Sequence, residues 1–136
     1  MDRKIALCAG VLALALTAGA ASAHHSFSMF DSGKTDTIIG TVKSFDMVNP
    51  HSWLQVVAPA ADGVQVEWSL EMGGPGQIQR EGWTQTSVQP GDKVTIRLHP
   101  LRDGSHGGQL VSAVLANGQT LNGGGPPGPQ ASAGGR

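Results

Sequence analysis

The chain has 136 residues, 9 basic and 10 acidic side chains, and a formal net charge of −1. Beyond Arg3-Lys4, its Lys and Arg residues are scattered singly, which excludes an electrostatic nucleic-acid binder, because phosphate neutralisation needs a basic cluster. The single cysteine, Cys8, lies in the apolar N-terminal run, so a chain cleaved after that run has no disulfide, no thiolate metal site and no cysteine nucleophile.

In chain order, Asp2-Arg3-Lys4 is a charged n-region, residues 5–18 are an apolar h-region, and Ala21-Ser22-Ala23 supplies the small side chains of a cleavage site. Residues 1–23 therefore read as a signal peptide, too short in its apolar part to span a bilayer stably. Cleavage after Ala23 is expected to leave a soluble periplasmic or secreted protein, not inserted in a membrane, with a free amine on His24. Residues 24–36 carry Phe27, Met29 and Phe30 without a sustained period and read as an N-terminal arm.

From Thr37 the chain becomes β-branched. Ile38, Gly40 and Val42 share one parity and Phe45 and Met47 the other, which predicts a long first strand with a bulge or sharp coil, Gly40 permitting the bend. Asn49-Pro50 is a turn, and residues 52–58 form a second strand. Asp62-Gly63 signals a hairpin into a third strand. There Val64, Val66, Trp68, Leu70 and Met72 face inward, and Glu67 and Glu71 face solvent. Residues 77–82 fit one or two helical turns with Ile78 inward and Gly82 at the stop. A fourth strand is expected over 93–98, a polar Gly-rich loop over 99–108, a fifth strand over 110–116, and a short return at Thr120-Leu121. Gly, Pro, Ala and Ser dominate residues 122–136, which read as a disordered tail.

The order strand, strand, strand, short helix, strand, strand is that of an all-β, five-stranded, OB-like Greek-key barrel over residues 37–121, a fold that holds ligands on strands two and three and at its connecting loops. An open β-sandwich or meander is the alternative. Ala23-His24-His25-Ser26-Phe27, Gly40-Thr41-Val42, Asn49-Pro50-His51, Gly82-Trp83 and Pro90-Gly91-Asp92-Lys93-Val94 together resemble a bacterial secreted family, domain of unknown function 6152. The resemblance implies export and a compact domain, and it carries no activity. Gln79-Arg80-Glu81-Gly82 is also similar to a run in the periplasmic haem chaperone of cytochrome c maturation, another OB-fold. That family's haem-attaching His and its nearby Tyr lie in the C-terminal tail. Here the tail has no His and the chain no Tyr, so this likeness implies a fold and no haem.

The candidate chemistry lies in histidines and tryptophans. His24 and His25 at a free terminus, with His51 and His106 on loops, could ligate copper, since imidazole and a neutral α-amine suit Cu(II). The opposing reading makes them solvated or backbone-bonded residues, and gives His99 beside Pro100 no chemical role. Trp68 is read as core. Trp53 and Trp83 either offer a flat ligand or partner surface or cap the barrel under the helix, and filler for a small core favours capping. No nucleophile elbow, paired acid–base carboxylates or phosphate loop is present, so the chain reads as a binding module for an unknown small ligand or envelope protein and not as an enzyme. A periplasmic copper-handling protein and an accessory subunit of an envelope complex are the alternatives.

Overall fold

The structure, a computed structural model, describes residues 29–125. The leader, His24, His25 and residues 126–136 lie outside the described residues. Among the described residues six strands occur: β1 (Asp36–Asp46), β2 (Trp53–Pro59), β3 (Gln65–Glu71), β4 (Lys93–Pro100), β5 (Gly107–Val114) and β6 (Thr120–Asn122). A helix, α1 (Pro75–Arg80), joins β3 to β4. Among the described residues no helix is long and apolar enough to cross a membrane.

β1 is long enough to serve two partners. Asp36 to Thr41 pair with β4, and Thr41 to Asp46 pair with β2, with a register shift between Val42 and Ser44. The bulge expected from the parity change is therefore real, and it sits just beyond Gly40. At Gly40 itself the second strand presses close: a Cβ there would overlap the Val57 carbonyl oxygen and approach the Ala58 side chain to 2.8 Å. β2 pairs antiparallel with β3, β4 with β5 and β5 with β6. Parallel pairing of Ser69 to Glu71 with Gly107 to Gln109 closes the ring β1-β2-β3-β5-β4. The molecule is thus a small closed five-stranded OB-like barrel with β6 added at β5, which also removes most of its sheet edges.

Inward residues of every strand meet in one core, including Val42, Leu54, Val56, Leu70, Ile96, Leu98 and Leu110. α1 closes one end. Pro75 occupies its first turn, where a missing N–H costs nothing, and Gly82 at φ +100° lets the chain leave while the Trp83 N–H bonds back to the Ile78 carbonyl. Ile78 is fully buried beneath it.

Several boundaries differ from expectation. The helix begins at Pro75 and not at Gln77. β5 begins at Gly107, inside the expected loop, because the seam needs glycine: a Cβ on Gly107 would lie 2.7 Å from the Ser69 carbonyl oxygen, and one on Gly108 would overlap that of His99. β4 runs through His99, which is buried and donates from Nδ1 to the Lys34 carbonyl at 2.7 Å. Val64 is 58% exposed in the β2–β3 turn instead of inward. The expected tail starts later, since Asn122 ends β6 and residues 123–125 lie against Leu110, Ile78 and Gln109.

Candidate functional site

Residues 29–36 of the expected arm lie along the far end of β4 and fix the β4–β5 loop. Phe30 is buried and forms an isolated bridge with Leu101. The Asp31 N–H donates to the Pro100 carbonyl at 2.8 Å, and the Arg102 N–H donates to the Met29 carbonyl at 2.9 Å. Within the loop, Asp103 Oδ1 accepts from the Ser105 N–H at 2.9 Å and from its hydroxyl at 2.6 Å. These bonds hold the Asp103 carboxyl below the ordinary carboxylate range. Arg102-Asp103-Gly104 is accordingly a tied turn, with Gly104 at φ +78°.

Arm, loop and β3 enclose an open cleft of about 310 Å³. Trp68, Pro100 and Leu101 supply its apolar wall. Asp31, Lys34, Asp36 and Arg102 supply its charges. The charges sit as two loose pairs, Arg102 Nη1 to Asp31 Oδ1 at 3.8 Å and Lys34 Nζ to Asp36 Oδ2 at 3.9 Å, all four side chains being solvent-accessible. Trp68 is half-buried and packs on the core with the His106 ring 5.3 Å away, and its indole N–H is buried with no partner among the described residues. Such a donor costs about 1–3 kcal/mol if nothing accepts from it. Trp68 is therefore a cleft wall as well as filler, a correction to its reading as core alone. β3 pairs with β5 only from Ser69 onward, so Trp68 lies just beyond the closed part of the barrel.

A second, smaller pocket of about 30 Å³, room for about one water, opens where Glu71, His51 and Gln109 meet the Gly124–Gly125 backbone. Glu71 was expected to face solvent beside Glu67. It is only 7% exposed, because the β1–β2 loop brings His51 over it and the parallel seam sets Gln109 alongside. Burial pushes its carboxyl above the ordinary glutamate range, opposed by the His51 imidazole, whose Nδ1 lies 3.4 Å from Glu71 Oε1. The same Nδ1 donates to the Met72 carbonyl at 3.2 Å.

The residues proposed from sequence are dispersed. His51 faces Glu71 and Met72, whereas His106 is exposed against Trp68. Among the described residues no group of three or more His, Cys, Asp or Glu side chains is placed to hold a metal. His51 lines the pocket at Glu71 and the His106 ring lies against Trp68, while His24 and His25 lie outside the described residues. Trp83 is 1% exposed, donates from Nε1 to the Asn122 carbonyl at 2.7 Å, and contacts Phe45 at 5.3 Å between ring centroids. It caps the barrel and presents no flat surface. Trp53 is half-buried on the outer face of β2, paired with Glu71 of β3. The cleft residues Asp31, Lys34, Asp36 and Arg102 escaped sequence reading. Phe30, next to Met29 in the arm, was the signal that the arm is anchored.

No curated protein and no solved structure matches the chain significantly. The model of a family of unknown function (DUF6152) matches residues 12–111, and the chain belongs to that family.

Proposed function

We propose that this protein is an exported binding module that holds a small ligand in the Trp68 cleft and performs no chemistry on it. One observation carries the reading: a cleft at the β4–β5 loop, walled by an indole and by ion pairs, at a position where OB barrels commonly receive ligands. Its walls are pre-ordered by the Phe30–Leu101 bridge and the Asp103–Ser105 turn, so little ordering cost falls on binding. Export rests on the leader pattern of residues 1–23.

The test uses the full chain expressed with its own leader. Periplasmic protein should begin at His24 by amino-terminal mass spectrometry. Small molecules extracted from the same compartment should raise the Tm of the purified protein and fail to do so for Trp68→Ala. Retention in the cytoplasm would overturn the export reading, and equal Tm responses of both forms would overturn the cleft.

The accessory-subunit reading gains no particular observation. The copper reading rests on the free terminus of His24 alone. Cu(II) calorimetry on the processed protein, with and without one added residue ahead of His24, tests it. Equal affinities would exclude the terminal site.

A further inference from the structure

We infer that the ligand of the Trp68 cleft is a neutral, polyhydroxylated ring, a sugar or a close analogue. This rests on the binding-module reading above and narrows it to a chemical class.

Charge comes first. The cleft is lined by Asp31 and Asp36 against Lys34 and Arg102, which cancel. Each cation already has its own carboxylate within 4 Å, at 3.8 and 3.9 Å. An anionic or cationic ligand would have to displace one of these partners, and at an exposed site the exchange gains little. A neutral hydroxyl can donate to a carboxylate and accept from the adjacent cation without breaking the pair. Two donor–acceptor pairs suit a ligand in which every group is both, and hydroxyls are the simplest such group.

Shape and apolar surface come second. Trp68, Pro100 and Leu101 form one wall, so the ligand needs an apolar face as well as polar edges. A pyranose ring has both, with its C–H groups on the faces and its hydroxyls at the rim. The volume of about 310 Å³ lies at the lower bound for small-molecule sites, which fits one or two rings and not an extended polymer. Third, the Trp68 indole N–H is a buried donor without an acceptor among the described residues, and the exposed His106 ring is its neighbour in a loop bounded by Gly104 and Gly107. A ligand oxygen that reached the indole by shifting His106 would satisfy that donor. Hydroxyl oxygens accept such a bond and hydrocarbon ligands do not.

The experiment follows the indole N–H signals of Trp53, Trp68 and Trp83 in a two-dimensional nitrogen–proton NMR spectrum of the folded protein, with Trp68→Phe identifying the Trp68 signal. Maltotriose and chitotriose are the neutral probes, and a Lys-Asp dipeptide and citrate are the charged ones. A saturable shift of the Trp68 signal with a neutral saccharide, and none with the charged probes, is the expected result. Arg102→Gln and Asp36→Asn, both at solvent-accessible positions, should each weaken that saccharide by about tenfold or less, and Trp68→Phe by about tenfold or more. Should the charged probes move the Trp68 signal as well as or better than the saccharides, the neutral-ring inference falls while the binding module stands. If no probe moves it, and no compartment extract does either, both fall.

Discussion

Burial raises the Glu71 carboxyl above the ordinary glutamate range, and the neighbouring His51 imidazole recovers only part of that cost. The fold therefore favours the protonated acid. Linkage fixes the sign: a folded value above the unfolded one gives stability that is complete at low pH and is lost as pH rises through the folded value. Glu71→Gln keeps the shape and removes the titration. Its Tm should match that of the native protein at about pH 4 and exceed it at about pH 8, with the gap opening above the ordinary glutamate range. A native protein that is the more stable of the two at the higher pH would mean that attraction to His51 outweighs desolvation. Gly40 is governed by sterics instead. Adding one methyl group sets it against the Val57 carbonyl oxygen and the Ala58 side chain at the crossing of β1 and β2. Gly40→Ala should cost about 1–3 kcal/mol in chemical denaturation, and an unchanged midpoint would show that the two strands separate there without penalty.

α1 has six residues, too few to be stable alone, so it exists because Ile78 and the following Trp83 anchor it to the barrel end. Ile78→Ala should lose about 2–5 kcal/mol. Trp83→Phe, which keeps the ring but strands the Asn122 carbonyl, should lose only about 0.5–1.5 kcal/mol beyond its volume change. Equal losses for the two would argue that α1 is a loop resting on the barrel and not its plug. Elements such as this were legible because their signals are local. The glycine stop of α1, the β-branched run of β1 and the alternation of β3 each lie within one segment, and their order alone pointed to the barrel. What escaped depends on contacts between distant segments. Gly107 and Gly108 read as loop residues because glycine usually marks a turn, yet here they permit close approach to Ser69 and His99 in the seam. Glu71 follows the polar parity of its strand, but parity says nothing of a loop 20 residues away that covers it. The cleft failed to appear for the same reason, since arm, loop and β3 converge only after the barrel closes.

At the scale of the molecule, closure makes one cooperative unit, since each strand of the ring depends on two neighbours and all feed one core. The family match ends at residue 111, in the middle of β5. The barrel cannot end there. Ala113, Leu115 and Leu121 complete the core, Ser112 to Val114 pair with β4, and the Asn122 carbonyl accepts from Trp83. The Gly73 N–H donates to the Gly123 carbonyl, tying the turn before α1 to the residue that follows β6. A chain cut after Val111 keeps the three-residue seam between β3 and β5 but leaves β4 with half its pairs to β5 and the core open on one side. It should lack a cooperative thermal transition and near-ultraviolet circular dichroism, whereas the full chain should show one transition that fluorescence and far-ultraviolet signals report together. If the shortened chain melted cooperatively, the β3–β5 seam would be sufficient to hold the fold, and the C-terminal hairpin would be an accessory added to a barrel already complete.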